Sequence, residues 1–156
     1  MSNLSSIYMV KMKTYKGRYK VKNPKKYAGD HTTVVYRSMW ERFAFKWCEN
    51  NSEIKLWASE ETVIPYISAI DNKYHRYFVD LKIIMKDGRT ILVEIKPEKQ
   101  TKPPASRRRT KRHISESLEY VRNQCKWKAA VEYCKDNGYE FQIWTENELK
   151  KMGMKF

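Results

Sequence analysis

The sequence predicts an α+β fold, a mixed β-sheet flanked by helices and preceded by an extended basic arm. Three features point there. Apolar residues recur at helical intervals after Ser38 and again after about Ser115. Between those stretches, from Ile54 to Lys96, lie short runs rich in β-branched and aromatic residues, separated by turn signals. Beyond the second helix a last strand returns, so the order is helix, strands, helix, strand, helix. At 156 residues the chain is the size of one domain. A chain of this length buries about 70% of its unfolded surface and needs no covalent staple.

Residues 1–30 form the arm, and residues 31–156 the domain. The arm interleaves Tyr15, Tyr19 and Tyr27 with lysines, shows no helical or strand period, and carries turn signals at Asn23-Pro24 and Gly29-Asp30. Its tyrosines can stack on bases or anchor the arm to the domain surface. Ser38 opens the first helix, with Glu41 at the capping-box spacing and Trp40, Phe43, Ala44 and Trp47 as an apolar stripe. The helix is expected to stop near Asn50-Asn51. Strands follow at Ile54 to Trp57 and Thr62 to Ile67, then a turn at Asp71-Asn72-Lys73. Two central strands, Arg76 to Met85 and Arg89 to Lys96, meet at Asp87-Gly88. Pro97 ends the second, and residues 97–112 make a basic loop.

A helix from about Ser115 to Asn137 shows one face of Leu118, Val121, Cys125 and Ala129. A second patch, from Trp127, Val131 and Cys134, predicts cover on both sides. Gly138 suits its C′ position. Tyr139 to Trp144 is the last strand, and Thr145 with Glu148 caps a short terminal helix.

The net charge of +14 is concentrated. Residues 1–30 hold eight Lys or Arg against one acid, as do residues 96–112, and the remainder is balanced. Clustering of one sign points to a polyanion, most simply nucleic acid; the alternatives are a solubilising tail or a surface for an acidic protein. Candidate DNA contacts are Lys16, Arg18, Lys20, Lys22, Lys25, Lys26, His75, Arg76, Arg107, Arg108 and Arg109. No run of about 18 apolar residues suggests a membrane span, and the first residues are too polar for a secretory signal. Cys48, Cys125 and Cys134 lack framework spacing and read as reduced thiols. The histidines and cysteines have no zinc spacing, and no glycine-rich phosphate loop is present.

Asp80 and Glu94-Ile95-Lys96 are the chemical centre of the sequence, and strand register decides whether they meet. A two-residue Asp87-Gly88 turn sets Asp80 against Ile95 and turns Glu94 to the other face. A three-residue loop, Lys86-Asp87-Gly88, sets Asp80 opposite Glu94 and Phe78 opposite Lys96. It also makes Val79–Ile95, Leu81–Val93 and Ile83–Ile91 all-apolar pairs. Burial and chemistry therefore choose the same register, built by a type I turn with Gly88 left-handed in a G1 bulge. Paired Cβ atoms about 5 Å apart let two carboxylates share a divalent metal. Water, phosphate and the Ile95 backbone carbonyl would complete its shell. Lys96 could then stabilise charge on the phosphate. Glu41 is either a helix cap or a third carboxylate, and the strand acids are otherwise a cross-strand ion pair on a wet face.

Val79-Asp80 … Glu94-Ile95-Lys96, with Glu41 on the preceding helix, resembles the PD-(D/E)XK nuclease superfamily. Val79 stands where the motif has proline, which removes no ligand. Tyr36-Arg37-Ser38-Met39-Trp40-Glu41, Trp57-Ala58-Ser59-Glu60, Ile64-Pro65-Tyr66 and His75-Arg76-Tyr77-Phe78-Val79-Asp80 resemble more specifically the TnsA-like head completion nucleases of large tailed phages. Asn23-Pro24-Lys25-Lys26-Tyr27 fits them too, and the likeness covers most of residues 15–145. It implies a restriction-endonuclease-like core and a Mg²⁺ site, with Mn²⁺ as a substitute. In that site Glu41, Asp80 and Glu94 surround the metal and Lys96 assists hydrolysis. The implied substrate is DNA, chiefly double-stranded, with phage head or neck proteins as partners and the host cytoplasm or the virion as location. A non-catalytic DNA-binding connector of the head–tail junction is the alternative, and an RNA-binding accessory protein a third.

Overall fold

The computed structural model describes residues 15–105 and 109–156. Arg107 and Arg108 of the basic loop lie outside the described residues, as does the first half of the arm. In chain order the elements are β1 (Gly17–Arg18), β2 (Val35–Tyr36), α1 (Met39–Asn50), β3 (Ile54–Ser59), β4 (Val63–Ile67), β5 (Tyr74–Phe78), β6 (Leu81–Met85), β7 (Thr90–Ile95), α2 (Lys111–Asn137), β8 (Glu140–Trp144) and α3 (Glu146–Lys151). The main sheet runs β3-β6-β7-β8. β3, β6 and β7 are antiparallel neighbours, and β8 lies parallel to β7. A parallel neighbour needs a crossover, which α2 supplies. The sheet is mixed and flanked by helices, as expected.

β7 is buried on both faces, as a central strand between two helical layers must be. Ile91, Val93 and Ile95 point into one apolar cluster with Trp57, Leu81, Ile83 and the α1 residues Trp40, Ala44, Phe45 and Cys48. Leu92 points the other way, to Trp127, Ala130 and Cys134 of α2 and to Ile64, Tyr66, Tyr77 and Val79.

The β6–β7 register is the three-residue one: Leu81 pairs Val93, Ile83 pairs Ile91, and Ile84 pairs Thr90. Gly88 donates to the Met85 carbonyl at 3.0 Å with φ +94, and the Asp87 carboxylate accepts the Arg89 N–H at 3.0 Å. That is the expected turn and bulge. One expectation about the strands fails. Arg76 to Met85 is not a continuous strand, because the chain breaks at Val79-Asp80. β5 pairs instead with β4, so Phe78 lies opposite Val63 and not Lys96. Val79 joins the α2-side cluster rather than facing Ile95. The β4–β5 hairpin satisfies the backbone of residues 74–78 locally, which leaves the end of β7 without an antiparallel neighbour.

The described half of the arm is tied to the domain. β1 pairs β2, and Tyr19, Val21 and Tyr27 are buried in the α1-side cluster. Tyr27 meets Trp57 edge-on, and burial pushes its hydroxyl up to about 12. The Glu49 carboxylate accepts from the Tyr19 hydroxyl at 2.5 Å and from the Lys22 N–H at 2.8 Å. Of the two roles open to the tyrosines, Tyr19 and Tyr27 anchor and Tyr15 is exposed.

The helices refine the sequence pattern. α1 buries Trp40, Ala44, Phe45 and Cys48, while Phe43 and Trp47 are only partly covered. α2 is covered on one side, through Asn123, Trp127, Ala130 and Cys134. Leu118, Val121 and Val131, expected to be covered, are exposed. Gly138 adopts the left-handed C′ conformation, and Thr145 with Glu148 forms the capping box of α3.

Candidate active site

The sheet forks at Val79-Asp80, and the fork creates the site. In an unbroken antiparallel ladder a backbone carbonyl would take the Ile95 N–H. With β5 turned away, Asp80 Oδ2 accepts that N–H at 2.8 Å. The N–H and C=O of a strand residue share one edge, so the Ile95 carbonyl is turned to the edge where Asp80 sits. The next residue looks the other way: the Lys96 N–H donates to the Trp144 carbonyl at 3.0 Å.

Glu94 lies beside Asp80 on the α2 side of β7 and is 5% exposed. A carboxylate so buried needs donors. Two converge on Oε2: the Tyr77 hydroxyl, and the Trp127 indole N–H at 3.1 Å. Oε1 is left facing Lys96 Nζ at 4.0 Å. Each acid thus has one oxygen fixed by the protein. No N–H or hydroxyl among the described residues reaches Asp80 Oδ1, but the Asp80 and Glu94 carboxyls lie within hydrogen-bonding reach of each other, where a single proton or a cation can bridge them.

Glu41 approaches from α1. The Ser38 hydroxyl accepts the Glu41 N–H at 3.2 Å, as a cap should. The reciprocal half differs from a capping box: Glu41 Oε2 accepts the N–H of Arg37 at 2.7 Å, one residue before the cap. That pins the side chain at the site end of α1, where it influences Asp80 and is influenced by Glu94.

These acids oppose one another electrostatically. Burial, and then the adjoining Glu94 carboxylate, hold the Asp80 carboxyl well above the usual carboxylate range. Burial raises Glu41 as well, against the favourable Arg37 N–H, and Glu60 and Glu94 add to the rise. No set of three or more His, Cys, Asp or Glu side chains among the described residues is closed into a ready metal cage. What exists is a close pair, Asp80 and Glu94, with Glu41 within electrostatic reach. Two adjoining carboxylates, each with one oxygen that takes no N–H or hydroxyl, and an adjacent carbonyl suit a hard divalent cation such as Mg²⁺ or Mn²⁺. The donor set fits.

Four participants were not visible in the sequence. Tyr77 and Trp127 orient Glu94; a buried indole N–H seeks an acceptor, and that need was the available signal. Arg37 forms a two-pronged pair with Glu60, Nε to Oε1 at 2.9 Å and Nη2 to Oε2 at 3.2 Å. Glu60 holds Arg37 strongly protonated, with smaller contributions from Glu41 and Asp80, so this guanidinium is a cation bordering the acids. Glu60 itself has φ +55, a left-handed conformation uncommon outside glycine and asparagine.

The proposed DNA contacts divide. Lys16, Arg18, Lys20, Lys22, Lys25 and Arg109 are exposed. Lys26 is occupied, its ammonium donating to the carbonyls of Glu49 at 3.1 Å and Asn51 at 2.7 Å at the C-terminus of α1. His75 is exposed and pairs with Asp71 at 2.7 Å. Arg76 lies over the Phe78 ring at 5.6 Å.

A mixed sheet flanked by helices, with a helix delivering an acid to a forked strand pair, defines a restriction-endonuclease-like protein. Comparison with known proteins agrees. Residues 51–146 match the family described as TnsA-like endonuclease N terminal. The head completion nuclease of Enterobacteria phage T4 is 39% identical over 146 residues, spanning 90% of this chain and 97% of that protein. The chain belongs to the TnsA-like endonuclease family.

Proposed function

We propose that this protein is a metal-dependent DNA nuclease of the PD-(D/E)XK type that acts in phage head completion. It would trim packaged DNA before head and tail join, in the host cytoplasm and in contact with head or neck proteins. The observation that carries the chemistry is the meeting of Asp80, Glu94 and Lys96 at the strand fork. The relative's name supports the setting.

Asp80 and Glu94 would hold Mg²⁺, or Mn²⁺ in its place, with the Ile95 carbonyl as a further ligand. When bound, the cation polarises the scissile phosphate and acidifies an attacking water. The protein's own groups do the rest. Tyr77 and Trp127 fix Glu94 through Oε2, so Oε1 is oriented without reorganisation. Lys96 projects its ammonium beside that oxygen and is the donor for charge developing on the phosphate. Glu41, held by the Arg37 N–H, is a third acid able to take a water or complete the shell.

Purified protein with plasmid or linear DNA, assayed in Mg²⁺ and in EDTA, tests this. Cleavage is expected in metal, with loss of at least about a hundredfold for Glu94→Ala or Lys96→Ala in folded protein, the range seen for positioned electrostatic groups. Cleavage that survives both substitutions overturns the site. DNA binding without any cleavage by the unaltered protein selects the alternative, a non-catalytic connector.

A further inference from the structure

The outer face of the β4–β5 hairpin has no role in the chemistry above, and its composition is unusual for an exposed surface. Register places three cross-strand pairs on it: Val63 with Phe78, Pro65 with Arg76, and Ile67 with Tyr74. The inner residues Ile64, Tyr66 and Tyr77 are buried, as strand alternation requires. The outer ones are open: Tyr74 is 76% exposed, Ile67 52% and Phe78 44%. An isolated apolar residue on a surface means little, but a contiguous set marks a binding face.

We infer that this face is a stacking platform for a single strand of DNA leading into the strand fork, so that the substrate is DNA with a single-stranded segment beside the cleavage point. The inference rests on the nuclease reading and names its substrate class. Two observations choose the occupant. The first is continuity: Asp80 follows Phe78 by two residues, so the Phe78 end of the ladder is the end nearest the paired acids. The second is the order of groups. Tyr74, Arg76 and Phe78 alternate ring, guanidinium, ring at two-residue intervals, a spacing of about 6.6 Å per step. Rings take base faces without regard to sequence, and a guanidinium between them takes phosphate or stacks in turn. The Arg76 guanidinium already lies over the Phe78 ring at 5.6 Å. A duplex offers no free base faces to such a ladder, whereas an unpaired strand does. A protein partner of ordinary apolar character has no need of the central cation.

The test compares affinities of the full chain for fluorescently labelled oligonucleotides in EDTA, where cleavage does not interfere. The ligands are a single strand, a blunt duplex and the same duplex with a single-stranded overhang. The unaltered protein is expected to prefer the overhang to the blunt end. Tyr74→Ala and Phe78→Ala should each reduce that preference by about tenfold, within the range of one missing base stack. Phe78→Trp should restore it, and Phe78→Leu, apolar but without a π face, should not. Circular dichroism confirms that each variant is folded. Equal weakening on all three ligands, no weakening, or full activity of Phe78→Leu overturns the platform; the last two outcomes leave the face to a protein partner. Because binding is read without metal, failure here is separable from failure of the nuclease assay in Mg²⁺.

Discussion

Asp80 keeps its proton more tightly than an ordinary aspartate because burial and Glu94 both disfavour its charge. In the metal-free protein, a carboxyl with a raised folded-state pKa contributes stability that is complete below the unfolded value and lost as pH rises through the folded one. The melting temperature in EDTA should therefore fall as pH rises above the ordinary aspartate value of 3.8 and through that elevated range. Mg²⁺ should reverse this, because the cation binds the deprotonated pair, and the Mg²⁺-induced rise in melting temperature should grow with pH. Asp80→Asn should weaken both effects, leaving the part that the raised Glu41 contributes. Its carbonyl can still accept the Ile95 N–H while its amide donates to Glu94, so the variant should melt about 2–4 °C higher in EDTA, equivalent to roughly 1 kcal/mol. Thermal melts across pH, with and without Mg²⁺, decide the matter. A melting temperature independent of pH in both proteins would show that the two carboxylates do not oppose each other.

At the scale of elements, the site depends on a fork and on two donors that reach it from different strands and helices. Tyr77 stands on the inner face of β5 and Trp127 on the covered side of α2, and both serve one oxygen of Glu94. Removing the hydroxyl with Tyr77→Phe leaves a buried carboxylate one donor short. It should cost about 1–3 kcal/mol in urea unfolding and weaken metal binding about 10- to 100-fold, as removal of an orienting partner does. Unchanged Mg²⁺ affinity, read by isothermal calorimetry, would show that Tyr77 does not hold Glu94 in place. A simpler prediction concerns the loop that sets the register. A Cβ on Gly88 meets nothing within 4 Å, so Gly88→Ala is opposed only by φ +94. It should cost about 1 kcal/mol by denaturant unfolding and leave nuclease activity intact.

The register was legible in the sequence because only one loop length made both an apolar face and an acid pair. The fork was not. Residues 76–85 read as one strand, since nothing local to Val79-Asp80 says which side of the chain the next partner lies on. The β4–β5 pairing that pulls the first half away is a tertiary choice. The cover of α2 was overestimated for the same reason. Its apolar residues are spread around the helix, and only where it lies on the sheet decides that Trp127 and Cys134 are inside while Leu118 and Val121 are exposed. The caps at Ser38, Gly138 and Thr145 were readable because they are satisfied within a few residues of sequence.

For the molecule as a whole, the excess charge and the folded core overlap in the arm. Tyr19, Val21 and Tyr27 are core residues, yet Lys16, Lys20, Lys22 and Lys25 on the same segment project outward. Deleting residues 1–30 would therefore remove buried aromatic surface along with the charge, and weaker DNA binding would say nothing about electrostatics. Neutralising the four lysines together, with the tyrosines retained, separates the two. If these ammonium groups lie along the phosphates, each one displaces a condensed counterion on binding. Neutralising them should then flatten the slope of log affinity against log salt by up to about 0.9 per lysine. Exposed lysines elsewhere, Lys55, Lys128, Lys135 and Lys155, make the control, since their removal changes net charge equally. Affinity measured from about 50 to 200 mM salt should show a flatter slope for the arm variant alone. Equal flattening in both would mean that net charge, rather than a track of lysines along the arm, draws the protein to DNA.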